Sequence, residues 1–276
     1  MDYATMLEFH ADNDAAATVA CMEVGLDEAR GFGVMSVDDA GRVTLFEEKP
    51  FAPDPLPGSP HCALASMGIY VFNRDLLMQE LVRDHDDEDS SHDFGHDILP
   101  RMIGQQSVFA YPFGSVEGRV SQDRYWKDVG TLDAYYDANM ALLEPVPPLN
   151  LYQRDWPIRS YKAHSPPART VPGEDGHDAM IYNSSLAGGT VINGGVAKHS
   201  ILSAWVRLEH ASLVEDSILF DNVTVGAGAK LKRCIVDKHV RIPEGETIGH
   251  DLERDRQRFT VTENGVVVVG RRVVFD

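Results

Sequence analysis

The C-terminal half of the chain repeats itself at a fixed interval, and no other feature narrows the fold so far. Ser200-Ile201-Leu202 returns as Ser217-Ile218-Leu219 and again as Cys234-Ile235-Val236, 17 residues further on each time. Val206 and Leu208 return as Val223 and Val225, then as Val240 and Ile242. Gly194, Ala211, Gly228 and Gly245 fall in one column, and Ala197, Val214, Leu231 and Ile248 in another. An amphipathic helix would space its apolar residues by three and four, and a sandwich would show no fixed column of small residues. Short β-branched runs, three to a period with a small residue at one bend, instead describe a coil of three faces stacked on its neighbours. Residues 181–276 are therefore expected to form a parallel β-helix. Its Ile, Val and Leu are read as core, with Ile218 lying between coils.

Before about residue 144 the pattern changes. Short β-rich runs alternate with helical ones, as in a mostly parallel sheet flanked by helices. A helix is expected over 3–10 with Asp2 as its cap, and a strand over 17–24. The runs 34–37 and 42–46 flank the turn residues Asp38, Asp39, Ala40 and Gly41, which makes a hairpin. An apolar strand follows over 63–72, then a helix over 74–82 capped by Asn73. A last helix begins at Thr131 with Leu132, Tyr135, Tyr136, Met140 and Leu143 on one face. The fold class is thus α/β, a Rossmann-like mixed-sheet domain over 1–144. Prolines then gather over 145–180, the mark of an irregular linker. A sheet that opens on a helix at residue 2 is expected to have begun further upstream.

The net charge of -18 over 276 residues disfavours nucleic acid or an anionic membrane as a partner. No stretch approaches the roughly 20 apolar residues of a membrane span. The start, MDYATMLEFH, has neither a basic leader nor an apolar run, and the expected location is the cytoplasm. Cys21, Cys62 and Cys234 are odd in number and lack any CxxC, so they are read as buried thiols rather than a disulfide or zinc framework.

Chemistry can reside in a few places. In Glu47-Glu48-Lys49-Pro50 a strand runs into the stiff proline-rich stretch 51–60. An ammonium fixed beside a carboxylate suits a sugar phosphate, the one meeting the phosphate and the other the hydroxyls; a surface pair would look the same. Ser66 and Tyr70 are an even number of residues apart and so share one face of a strand, where they could line a pocket or merely satisfy the backbone. Asp128 lies between the end of an expected strand and the helix cap Thr131, the place where open α/β sheets bind ligands, and could serve as a Mg²⁺ ligand or simply as a helix-start acid. The acidic run 84–93 reads as solvated loop rather than a metal loop. His199, His210, His239 and His250 read as surface residues rather than catalytic bases.

Together FGVMSVD, FEEKP, ASMGIYVF, SHDFGHDILP and RYWKDVGT, in this order and followed by a β-helix ending in IPEG-x-x-IG, closely resemble the bacterial ADP-glucose pyrophosphorylases (glucose-1-phosphate adenylyltransferases) across essentially the whole chain. The resemblance implies a left-handed β-helix, a nucleotide-sugar-transferase-like domain, and the transfer of an adenylyl group from ATP to glucose 1-phosphate, giving ADP-glucose for glycogen. It implies that Gly33, Glu48, Lys49, Ser66, Tyr70 and Asp93 surround glucose 1-phosphate, with Lys49 on its phosphate, and that Asp128 binds Mg²⁺. Lys238 and Arg271 fall at positions that contact small-molecule allosteric effectors in the family, whose members are homotetramers. The family's Gly-rich triphosphate loop and second metal-binding Asp have no counterpart in this sequence. Met1 corresponds to a point just after that Asp, and the chain by itself is expected not to make ADP-glucose. Sugar-1-phosphate thymidylyl- or guanylyltransferases, a non-catalytic regulatory or assembly subunit, and an acyltransferase built on hexapeptide-like coils stay open as alternatives.

Overall fold

The computed structural model describes residues 1–114, 125–154, 157–159, 161, 164–174 and 176–275. Two compact units divide it, one built on Met1–Trp126 and the other on Lys127–Gln153 with Pro157–Asp276.

In the first unit α1 (Tyr3–Asp12) starts where Asp2 accepts a hydrogen bond from the Ala4 N–H. Its Met6 is fully buried in a cluster with Ala20, Met67 and Tyr111. β1 (Ala17–Gly25), the short α2 (Leu26–Ala29), β2 (Gly33–Val37), β3 (Val43–Glu48), β4 (Cys62–Phe72) and β5 (Val108–Pro112) follow. The strands form one sheet in the order β3-β2-β4-β1-β5. It is mixed, as expected for the class, but the mostly parallel arrangement is not what forms: β1 is parallel to β5, whereas β1–β4, β2–β3 and β2–β4 are antiparallel. The Asp38 carboxylate explains part of this, since it accepts from the Ala40 and Arg42 N–H groups at 2.9 Å each and closes a turn too short for a crossover. After β4, the excursion through α3 (Arg74–His85), a π-helical turn (Phe94–Ile98) and α4 (Leu99–Met102) is long enough to bring β5 in parallel to β1. Asn73 stands at the start of α3 without capping it. Its side-chain amide donates to the Ala15 carbonyl and its oxygen meets buried His10 Nε2 at 3.3 Å, tying the start of α3 to α1 and to the turn before β1.

In the second unit α5 (Leu132–Met140) begins at Thr131, whose Oγ1 accepts from the Ala134 N–H. Tyr136, Met140 and Leu143 bury against Ile218, Ile235 and Val266, so the division of the chain at Trp126 rather than at Glu144 follows from where this helix finds its apolar partners. The packing also corrects the reading of Ile218. Leu202, Leu219 and Val236 fill the coil interior, while Ile218 belongs to the other cluster, on the outer surface of the coil beneath α5.

The coils carry three parallel ladders, which is the expected left-handed parallel β-helix. One holds Met180–Tyr182, Val196–Lys198, Leu213–Glu215, Lys230–Lys232 and Thr247–Ile248. A second holds Ser185–Leu186, Ile201–Leu202, Ile218–Leu219 and Cys234–Val236, and a third runs from Arg169–Val171 through Val191–Asn193, Arg207–Leu208 and Thr224–Val225 to Arg241–Ile242. Coiling thus starts at Arg169, inside the stretch read as linker. At the other end α6 (Leu252–Arg256) and the hairpin of Thr260–Val261 with Val267–Val269 close the stack, the latter strand adding in parallel to Cys234–Val236. The open end is different. Ile181 shares a column with Ala197, Val214, Leu231 and Ile248, which are fully buried, yet it is 44% exposed.

Each coil turns through left-handed residues at all three bends, and only one of those columns is glycine-rich. Gly194, Ala211, Gly228 and Gly245 form it; His199, Asp216 and Arg233 form a second, and Gly189, Trp205, Asn222 and His239 a third, all with positive φ. The conformation has a purpose, because it turns the bend's N–H onto the preceding coil. Asp216 N donates to Lys198 O, Asn222 N to Ala204 O and Gly228 N to His210 O. Beside the second column runs a buried ladder of hydroxyls. Ser200 Oγ donates to Lys198 O and accepts from Ser217 N; Ser217 Oγ donates to Glu215 O and accepts from Cys234 N.

Candidate functional site

The first unit brings together the residues that the sequence assigned to a sugar phosphate. Glu48 ends β3 opposite Gly33 of β2. Its carboxylate lies between two glycines: a Cβ on Gly33 would approach Oε2 to 2.8 Å and one on Gly95 to 2.6 Å. Gly95 was not singled out from the sequence, although a glycine following Asp93 at a helical cap is a readable sign of close approach. Lys49 turns left-handed at φ 49° directly after the strand, which halts the ladder and leaves the ammonium 3.9 Å from Glu48 Oε1 and largely exposed.

In the same sheet, β4 bulges. Val19 pairs with Tyr70 and Cys21 with Ser66, so three β4 residues face Ala20, and Gly68 takes φ 68° to allow it. Ser66 and Tyr70 thus come near each other through a bulge rather than through regular alternation. Ser66 Oγ also accepts from the Gly68 N–H at 3.2 Å. The Tyr70 ring stacks on Phe94 at 5.7 Å, with Phe72 against both.

Asp93 caps the π-helical turn: Oδ1 accepts from Gly95 N at 2.8 Å and His96 N at 2.9 Å. Asp97 supports it, accepting from Asp93 N and from the Ser91 hydroxyl while Oδ1 meets His96 Nδ1 at 3.0 Å. These bonds hold the Asp97 carboxyl well below the usual range, the Ser91 and His96 contacts first, and raise His96. Glu48 moves the other way, raised by burial and then by the Asp93 charge. Tyr70 is also raised, mainly by burial. The acidic run is more than solvated loop, since buried Asp84 takes hydrogen bonds from Ser90 Oγ at 2.7 Å and His92 Nδ1 at 2.9 Å and has Arg101 alongside at 3.8 Å. The result is a polar cluster with hydroxyl acceptors (Glu48, Asp93), hydroxyls (Ser66, Tyr70) and an exposed cation beside them (Lys49).

Asp128 is not part of that cluster; it lies in the second unit. Tyr125–Gly130 is irregular, the expected strand before it falling on 115–124 outside the described residues, and the exposed Asp128 carboxylate lies against Gly130, where a Cβ would come to 3.0 Å of Oδ2. Among the described residues no group of three or more His, Cys, Asp or Glu is placed to hold a metal. What Asp128 offers a cation is one hard oxygen ligand, which fits Mg²⁺ shared with substrate phosphates and water and does not fit a protein-caged ion. Trp126, also missed from the sequence, packs edge-on against Phe32 at 5.2 Å, next to Gly33.

On the second unit the Asp237 carboxylate accepts from the backbone N–H of Lys238 at 2.7 Å and faces Arg271 Nε at 3.8 Å. Both basic side chains are exposed. Buried Cys21 and Cys234 have thiols pushed up to about 12 by burial, and Cys62 is half-buried. No described helix is long and apolar enough to cross a membrane.

Two family models match the chain. Residues 1–145 match the Nucleotidyl transferase family and residues 166–269 the GlmU-like, C-terminal hexapeptide family. Glucose-1-phosphate adenylyltransferase 2 of Vibrio cholerae is 53% identical over 276 residues, all of this chain and 68% of that protein. The enzyme of the same name from Vibrio vulnificus is 52% identical over 269 residues, 98% of this chain and 67% of its own length. Glucose-1-phosphate adenylyltransferase of Methylobacillus flagellatus is 48% identical over 270 residues, 98% of this chain and 63% of its own.

Proposed function

The chain belongs to the nucleotidyl transferase family and, within it, to the glucose-1-phosphate adenylyltransferases, and from that premise we propose that the polar cluster of the first unit receives glucose 1-phosphate for reaction with ATP. A phosphate oxygen of the sugar phosphate attacks the α-phosphorus of ATP. The new P–O bond forms as the α–β anhydride breaks, and pyrophosphate leaves with its electron pair, giving ADP-glucose. No covalent intermediate on the protein is required, so catalysis consists of holding two anions in line and offsetting their charge.

The observation that carries the reading is Glu48 held between Gly33 and Gly95, with Lys49 turned out beside it. Glu48 and Asp93 accept sugar hydroxyls, Ser66 and Tyr70 complete that wall, and Lys49 takes the phosphate. When bound through Asp128, Mg²⁺ supplies charge neutralisation for the nucleotide phosphates. Lys238 and Arg271, both exposed, suit a small anionic effector. The enzyme works in the cytoplasm, as a homotetramer, in the supply of ADP-glucose for glycogen.

Lys49→Ala, made in a chain that also carries the family's triphosphate loop so that turnover can be read, tests the assignment. Loss of one charge-assisted phosphate contact is worth about 1.5–3 kcal/mol, so the KM for glucose 1-phosphate should rise by roughly tenfold or more while that for ATP stays put. Pyrophosphate release measured against each substrate reports both. An unchanged KM and kcat for the sugar phosphate would remove Lys49 from the site.

A further inference from the structure

One bend of the β-helix carries a residue that folding does not call for. In the column Gly189, Trp205, Asn222 and His239, glycine, asparagine and histidine are residues that tolerate a left-handed backbone. Trp205, at φ 62°, is a bulky aromatic in a conformation that such residues avoid. Its indole does not repay that strain by filling the core, for the residue is 42% exposed. It lies over Gly189, where a Cβ would come to 2.6 Å of the indole Cδ2, so its place depends on a glycine one coil earlier.

Beside this indole the outer surface of one ladder reads Arg169, Val191, Arg207. Neighbouring strands lie about 4.8 Å apart, so the two arginine stems stand about 10 Å from each other with the short Val191 between them. They border a cavity of about 330 Å³, floored by Val191 and Gly189 and walled by Trp205 and by Pro166 and Pro167. The Pro166 carbonyl accepts the Gly189 N–H at 2.7 Å, which fixes that wall to the coil. Arg207 also meets Glu209 at 3.2 Å.

We propose that this slot binds a small flat aromatic anion, its ring stacked on Trp205 and its phosphate or carboxylate held between Arg169 and Arg207. An indole face and rigid prolines offer a planar ring contact area at little conformational cost, and planar guanidinium forks match phosphate and carboxylate oxygens. In a chain of net charge -18, two arginines bordering one apolar slot form a local field that a small anion can respond to. Backbone strain retained at an exposed aromatic is the kind of outlier from which a binding role is inferred.

The test uses 1-naphthyl phosphate, with inorganic phosphate and 1-naphthol as controls, followed by quenching of tryptophan emission and by calorimetry. The whole ligand should bind far more tightly than either half. Arg169→Ala and Arg207→Ala should each weaken it by about tenfold or more, as expected for loss of a charge-assisted contact. Trp205→Asn, copying Asn222 of the next coil, should abolish binding without lowering the melting temperature. The proposal falls if wild-type protein does not bind the probe, if inorganic phosphate alone binds as tightly, or if Trp205→Asn binds it unchanged. It falls equally if Trp205→Asn unfolds the coil, or if that change splits an oligomer in sedimentation, which would make the slot a subunit contact.

Discussion

Replacing Ser217 by alanine removes one oxygen from the hydroxyl ladder, and its cost can be worked out atom by atom. Ser217 is fully buried, donates to Glu215 O and accepts from Cys234 N at 3.1 Å. Glu215 O also receives the Arg233 N–H at 3.1 Å, so that carbonyl keeps a partner in the variant. Cys234 N has no replacement, because the methyl group cannot accept and the site is closed to water. An orphaned buried amide costs about 1–3 kcal/mol and a lost shared donation about 0.5–1.5, or roughly 1.5–4.5 kcal/mol in all. For a unit of this size that corresponds to a fall in melting temperature of roughly 5–15 °C. Urea unfolding followed by circular dichroism measures it, and amide exchange at Cys234 should quicken. Ser217→Cys should lose much less, since in the same column Cys234 Sγ already points at Lys232 O at 3.0 Å. A loss from Ser217→Ala of less than about 0.5 kcal/mol, the scatter of ordinary surface changes, would refute the ladder as a source of stability.

In the chain extended by the triphosphate loop, Asp128→Asn should lower kcat and raise the Mg²⁺ concentration needed for half-maximal rate, since an amide is a poorer ligand for a hard cation; unchanged Mg²⁺ dependence would leave Asp128 as a helix-start acid. Because burial raises the Glu48 carboxyl, it takes up its proton at a higher pH than an ordinary glutamate does. Glucose 1-phosphate affinity should therefore fall on acidification from above the normal glutamate range, and a titration of KM against pH that stays flat there would count against Glu48 as a hydroxyl acceptor. Ile218→Asp should release α5 while leaving the coil interior intact, seen as faster proteolysis after Met140 with β-type circular dichroism retained.

The stack of coils was legible from its columns because Ala197, Val214, Leu231 and Ile248 occupy equivalent places and nothing but core packing acts on them. The bends were only a third legible. Glycine announces a left-handed turn, whereas His199, Asp216, Arg233, Trp205 and Asn222 take the same backbone while reading as ordinary surface residues. Ile218 was placed in the wrong core, since the repeat shows that it is buried but not which neighbour buries it, and α5 lies far away in sequence. Asp2 and the Asp38 turn in the first unit, and Thr131 in the second, acted through local bonds and were readable. The largely antiparallel sheet and the β4 bulge depend on pairings between distant segments. The site residues were found through motifs taken together, whereas Asp97 and Trp126 show their parts only once the chain has folded around Glu48 and Gly33.

The unevenly finished ends of the coil stack give the second unit a direction in time. A solenoid loses and regains structure coil by coil, each held by contacts with its neighbours. At the closed end, α6 and the last hairpin must leave before a coil can open, whereas at the other end Ile181 already faces water on a column that is elsewhere fully buried. Opening should therefore begin at Arg169–Val171 and Met180–Tyr182 and travel toward Thr247–Ile248. Native-state hydrogen exchange would then show a gradient of protection along the ladders, shallow where the stack starts and deep where it is sealed.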